Sequence, residues 1–193
     1  MCQRLLGEAR FFTAELKYDE DLAAQAKAAG CLKCAGRLDS APFARKPRGA
    51  TTRLPDGFEW RFSFCCAVDG CRKRHTPPSI RFLGRRVYLG AVVVLATAMQ
   101  QGVTPVRARR LKELLGVSPL TLARWREWWR TTFAESAFWK EMRARFASPP
   151  DASGFPLTLL ERFGPEEEGR LLALLRFLTP LSTPAGYLPD QRF

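Results

Sequence analysis

The sequence predicts a mainly α-helical protein with a small β ribbon near its front. The expected order is a helical N-terminus, the ribbon, a three-helix core and short C-terminal helices. Three observations lead there. Helix-opening residues and helical periods mark residues 1–30, 87–147 and the segment beyond 154. Residues 31–75 break that pattern with Pro42, Pro47, Gly49, Pro55 and Gly57. The same stretch holds five cysteines, four of them in two close pairs, Cys31-Leu-Lys-Cys34 and Cys66-Ala-Val-Asp-Gly-Cys71.

Residues 1–30 open the chain with Leu5, Phe11, Phe12 and Leu16 in a loosely amphipathic pattern. Asp19, Glu20 and Asp21 then read as the acidic first turn of an Ala-rich helix ending at Gly30. In the ribbon, Trp60, Phe62, Phe64 and Cys66 alternate with Arg61, Ser63 and Cys65, the period of a half-buried strand. A basic connector, 76–86, closes this second region.

Two close cysteine pairs with a longer insert are what a tetrahedral zinc site requires. Each pair occupies a tight turn that aims two thiolates at one point. Gly36 lets the first turn tighten. Cys65 and Cys66 are neighbours on a strand, so their side chains face opposite ways. Cys66 leads into the turn to Cys71 and is the expected ligand, with Cys65 in reserve. The expected set is Cys31, Cys34, Cys66 and Cys71 around one structural Zn²⁺. Cys66, Cys71 and His75 can also coordinate together, so three cysteines plus His75 form the alternative. Cys2 is expected to be a free thiol. With no secretory-type opening visible, six cysteines suggest a reducing, cytoplasmic setting. The longest apolar stretch, 88–99, is too short to span a bilayer.

Residues 87–101 read as one apolar helix closed by Gly102. Thr104-Pro105 opens a second helix through Leu115, with Thr as N-cap and Pro at the first position. Gly116-Val-Ser118 is a short turn, and Ser118-Pro119 opens a third helix. Its inner face carries Leu122, Trp125, Trp129 and Phe133. Leu120, Thr121, Arg124, Glu127, Trp128 and Thr131 take the other side, where Trp128 is either exposed or covered by the C-terminal helices. A short helix, a Gly-containing turn and a longer Ser-capped helix form a helix-turn-helix pattern.

Charge points the same way. The chain carries +12. Between 43 and 130 there are 18 Lys/Arg against 5 Asp/Glu, while the two flanks together hold 13 against 14. A basic region so concentrated is the footprint of a phosphate-backbone partner. Ser118, Thr121 and Arg124 lie at the leading end of the third helix, where a helix-turn-helix reaches base edges. Arg107, Arg109, Arg110 and Lys112 on the second helix suit phosphate contacts, as do Arg72, Lys73, Arg74, Arg85 and Arg86 around the connector.

The order of these motifs resembles the front end of certain bacterial insertion-sequence transposases. The resemblance covers about residues 31–130: two cysteine knuckles, basic residues with Thr-Pro-Pro-Ser, an apolar helix, then Leu-Gly-Val-Ser-Pro-Leu-Thr-Leu-Ala-Arg-Trp. It implies a zinc ribbon beside a helix-turn-helix that binds double-stranded DNA. The chain departs from that family after 130, where an α/β nuclease domain is expected and short helices follow instead. Asp151, Glu161 and Glu166 to Glu168 fall in a 148–154 linker and on helices, so a two-metal phosphoryl-transfer site is not expected. His75 is the sole histidine and no Gly-rich phosphate loop occurs. The expectation is a non-enzymatic, nucleoid-associated DNA-binding protein related to transposases, with no membrane or small-molecule partner. A transcriptional regulator, a zinc-ribbon adaptor for a protein partner and an RNA-binding ribbon are the alternatives. The C-terminal helices carry Leu159, Leu160, Phe163, Leu171, Leu172, Leu174, Leu175 and Phe177, for core packing or a partner contact. The expected division is 1–30, 31–86, 87–147 and 148–193.

Overall fold

A computed structural model describes residues 4–83, 87–98 and 104–183. Cys2, Arg85, Arg86, the expected helix end at Gln101 and Gly102, and the chain beyond Thr183 lie outside the described residues. The rest is mainly α with a small antiparallel β part.

One helix, α1 (Ala9–Ala29), covers what the sequence divides in two. Asp19 is not an N-terminal acid but sits mid-helix, on a buried stripe of Phe11, Phe12, Glu15, Asp19 and Ala23. That stripe runs through two cores. Phe11 and Phe12 belong to the main one, and Ala23 to a small one with Cys31, Leu38, Phe64 and Cys66.

The β part comprises β1 (Leu38–Ser40), β2 (Phe43–Ala44), β3 (Trp60–Arg61), β4 (Phe64–Cys66) and β5 (Arg74–His75). One sheet has the order β1-β4-β5, and β2 pairs with β3 in another. The single alternating strand expected over 60–66 is therefore two strands in two sheets. Phe62 and Ser63 separate the two strands, and the alternation fails over this segment. Trp60 is 43% exposed while Arg61 and Ser63 are buried. Arg61 is held inside by donating to the Pro77 carbonyl, and the Ser63 hydroxyl donates to the His75 carbonyl at 3.3 Å.

Arg81, expected on a basic connector, is fully buried. Its Nε donates to Asp19 Oδ2 at 2.7 Å, and its two Nη groups donate to the Phe58 and Trp60 carbonyls. Asp19 also accepts from the Ile80 N–H at 2.8 Å and from the Ser79 hydroxyl. The guanidinium lies about 5 Å from the centres of the Phe58, Phe62 and Phe82 rings.

Helix α2 (Gly90–Thr97) is buried on every side, which is why it shows no amphipathic period. It starts three residues later than expected because Arg48 pairs alongside Tyr88: the Arg48 N–H donates to the Val87 carbonyl and the Leu89 N–H to the Arg48 carbonyl. Gly90 admits no side chain, since a Cβ there meets the Ile80 carbonyl at 2.9 Å and Leu175 at 3.2 Å.

Helices α3 (Pro105–Leu115) and α4 (Pro119–Trp128) start where the caps require. Thr104 Oγ1 accepts from the Arg107 N–H at 3.3 Å and Ser118 Oγ from the Thr121 N–H at 3.1 Å. Gly116 ends α3 at φ 67°, a left-handed conformation that turns its N–H back onto the Leu111 and Lys112 carbonyls. After α4 a wide π turn, Trp129–Phe133, lets Trp128, Trp129 and Phe133 all face inward. Trp128 is thus buried, not on an outer face. It lies against Trp129 and Phe133 in an aromatic cluster completed by Trp139 and Phe155.

Helices α5 (Ala137–Met142), α6 (Leu157–Leu160) and α7 (Glu167–Phe177) complete the chain. Residues 148–154 form a built turn in which Asp151 accepts from the Ser153 N–H and its carbonyl from Thr158. Glu166 caps α7, accepting from the Glu168 and Gly169 N–H groups. Leu159, Leu160, Leu171, Leu174 and Leu175 join the same core as α2, Trp125 and Phe133. No helix among the described residues is long and apolar enough to cross a membrane.

Glu15 carries a pH-dependent cost. Its carboxyl is wholly buried with neither oxygen hydrogen-bonded, and burial, then the neighbouring Asp19, hold it protonated well above the usual carboxylate range. The folded chain binds this proton more tightly than the unfolded one. Its stabilising contribution is therefore full below about pH 4 and falls as pH rises. Glu15→Gln should raise the Tm by about 2–4 °C at pH 8, corresponding to about 1 kcal/mol, and change it little at pH 4. Thermal unfolding across pH checks this, and an equal shift at both values contradicts it.

Candidate metal centre and cationic helix pair

The two cysteine pairs sit on turns of the same design. In the first, the Cys31 N–H donates to the Gly36 carbonyl at 2.9 Å and the Ala35 N–H to the Cys31 carbonyl at 2.7 Å. In the second, the Cys71 and Arg72 N–H groups both donate to the Val68 carbonyl. The residue after each second cysteine, Ala35 or Arg72, has positive φ, at 55° and 42°. Strand β4 presents Cys66 opposite Leu38 of β1, which carries the second turn beside the first.

The four sulfurs converge. Cys31 Sγ lies 3.7 Å from Cys71 Sγ, and Cys34 Sγ lies 3.5 Å from Cys66 Sγ. All four lie within 4.8 Å of one another. Sulfurs at about 2.3 Å from a tetrahedral metal stand about 3.8 Å apart, so the cluster has the size of a four-thiolate site. Gly36 completes the cradle. A Cβ there meets Val68 at 2.4 Å and comes within 3.4 Å of the Cys34 and Cys66 sulfurs.

The two reserve residues differ in where they lie. Cys65, paired across from Asp39, turns away and its thiol donates to the Arg72 carbonyl at 3.4 Å. His75 Nε2 approaches Cys31 Sγ at 3.2 Å, beside the four-sulfur group.

The thiols perturb one another. Burial opposes ionisation of Cys31, but the Lys33 and Cys34 N–H groups and His75 outweigh it and lower the thiol to about 6. The Val68 N–H favours the Cys66 thiolate, yet burial and the surrounding thiols together push it up to about 12. Four such sulfurs ionise together only around a cation. The small core behind them has just five buried members, so a metal cross-link has much to contribute there.

The cationic residues divide by role. Arg107, Arg109, Arg110 and Lys112 are exposed on α3, and Arg124 is exposed on α4. None forms an ion pair among the described residues. Ser118 and Thr121 serve the α4 cap, with hydroxyls 2.9 Å apart, and Thr121 is half-buried. The Tyr88 hydroxyl donates to the Gly116 carbonyl at 2.6 Å, and its ring meets Trp125 edge-on at 5.0 Å. That brace on the α3–α4 turn has no sequence signal beyond an aromatic before an apolar run. Arg72 and Lys73 are exposed near the cysteines, whereas Arg74 donates to Ser63 Oγ at 3.1 Å and to the Ala41 carbonyl.

No protein-family model, curated protein or solved structure matches this chain. What the fold and site define is a mainly α protein with a four-cysteine cluster suited to a metal ion.

Metal analysis of the purified protein should give about one metal per chain. Chelation, or Cys71→Ser, should remove hydrogen-exchange protection from 31–75, while Cys65→Ser should keep both the metal and the protection. Full protection in the metal-free protein contradicts the assignment.

Proposed function

We propose that the chain is a zinc-stabilised protein that binds double-stranded DNA, has no catalytic activity of its own and serves a mobile element as a transposase-related accessory. The observation that carries this reading is the set of exposed cations on α3 and α4. Five cations there, Arg107, Arg109, Arg110, Lys112 and Arg124, have no acidic partner among the described residues. Glu113 and Glu127 are the acids of these two helices, so the pair keeps a net positive charge, which suits a polyanion.

Zinc is the metal that best suits four thiolates in a closed tetrahedral set. With four protein ligands no position is open to water, so its role is structural. Helices α3 and α4, joined by Gly116 to Ser118, form the helix-turn-helix. Arg124 is the base-reading residue, suited to a guanine edge, and the α3 cations hold phosphates. The resemblance of 31–130 to insertion-sequence transposases supplies the biological setting. An ordinary transcriptional regulator would use the same surface, and the location of the preferred sequence, at element ends or at a promoter, separates the two.

A second reading has its own observation. Leu32 is 88% exposed and Val68 44% exposed at the tips of the two cysteine turns. An apolar pair at the metal end suits an adaptor that docks a protein.

Selection of bound sequences from random duplex DNA tests the main reading. A recurring motif supports it, and no enrichment, or displacement of duplex by single-stranded RNA, removes it. Arg124→Ala should cost about 1–3 kcal/mol on the selected site and relax preference at one position. Arg109→Ala should weaken binding to all sequences alike. Binding titrations on selected and scrambled duplexes check this.

A further inference from the structure

A pocket of about 380 Å³ opens where α1 meets both sheets. That volume lies in the range that holds small molecules. Leu16 of α1 lines it together with Trp60, Phe62 and Phe64. Phe64 is buried, and Leu16 and Phe62 are half-buried, so the interior is apolar. Ser63 also lines it, but its hydroxyl is already engaged with the His75 carbonyl and Arg74 Nη1. Trp60 is exposed, whereas the other four tryptophans are buried. The charged residues of the lining share one sign. Glu20 and Asp56 are both exposed and so stand at the mouth, and no Lys, Arg or His lines the pocket among the described residues. Glu20 lies one turn from Leu16 on α1 and forms no ion pair among the described residues. Asp56 meets Arg53 at 3.3 Å, but both groups are almost fully solvated and such pairs are weak. In a chain of net charge +12, two acids without a cation around one pocket set its preference for charge.

We infer that this pocket binds a small organic ammonium ion with an apolar body. The ammonium lies at the mouth, between Glu20, Asp56 and the Trp60 ring, and the body fills the interior against Leu16, Phe62 and Phe64. Trp is the aromatic side chain best suited to a cation. Phe62 already has the Arg81 guanidinium 5.3 Å from its ring centre, which leaves Trp60 as the ring for a second one. The layout also selects the kind of ligand. A lysine or arginine of a protein partner enters charge first and would carry that charge into the apolar interior, at a high desolvation cost. A free amine enters apolar end first and keeps its charge at the carboxylates. The site takes no residue from α3, α4 or the cysteine cluster, so it stands whether or not the chain binds DNA.

The experiment uses the full metal-loaded chain and two probes of one shape, 4-phenylbutylamine and the neutral 4-phenylbutanol, titrated by NMR. The Trp60 indole N–H signal should move with the amine, and those of the four buried tryptophans should stay. The amine should bind about tenfold more tightly than the alcohol. Glu20→Gln and Asp56→Asn should each weaken the amine about threefold and leave the alcohol unchanged. Asp21→Asn, on α1 but outside the pocket, should change neither. Trp60→Ala should weaken the amine most. Glu20 and Asp56 are exposed, so their replacements keep the test decisive if Trp60→Ala fails to fold. Equal affinity for amine and alcohol, or amine binding unaffected by both carboxylate variants, overturns the site. N-acetyl-lysine N-methylamide competing as strongly as the amine overturns the free-amine assignment in favour of a partner's side chain.

Discussion

The buried pair of Asp19 and Arg81 holds this molecule together. Both side chains are wholly inaccessible. Removing two charges from water is costly, and a buried pair depends on hydrogen bonds beyond the pair itself. Here Asp19 accepts from Ser79, Ile80 and Arg81, while each nitrogen of the Arg81 guanidinium donates once, to Asp19 or to the Phe58 and Trp60 carbonyls, and the group lies among three phenyl rings. The pair ties together α1, the approach to β3 and the segment leading to α2. The cysteine-bearing stretch leaves the helical core at one end of this knot and returns at the other. It is a large loop, closed at its base by an ion pair and at its tip by four thiols.

That arrangement explains how two small sheets and a core of five residues keep an orientation. Helix α1 runs from the main core, where Phe11 and Phe12 pack, to the small one, where Ala23 meets Cys31 and Cys66. On the return side, Arg81 accepts from the Gly90 N–H at 2.8 Å through its carbonyl, so the same residue positions the start of α2. Tyr88, just before that start, braces the turn between α3 and α4. Continuous contacts thus lead from the cysteine cluster to the cationic helices.

What the sequence makes legible is what local spacing decides. The two cysteine turns, the caps at Thr104 and Ser118, and the wholly apolar α2 depend on neighbours within a few residues. Choosing Cys66 over Cys65 needs only the alternation of a strand and the turn that leads from Cys66 to Cys71. What stays hidden depends on distant partners. Asp19 mimics a helix start because acids favour first turns, and Arg81 resembles any connector cation until the carboxylate 62 positions away is known. Arg61 interrupts an apparent alternation since its partner, the Pro77 carbonyl, lies across the fold. Trp128 turns inward because a π turn follows it, and no residue pattern at 129–133 announces one.

The most direct test is the salt dependence of duplex DNA binding by the metal-loaded chain. Between about 50 and 200 mM salt, log K should fall linearly against log salt with a slope near −4 to −5, the value for about five neutralised phosphates. Binding that is absent at low salt, or that does not change with salt, contradicts a phosphate-backbone partner for α3 and α4.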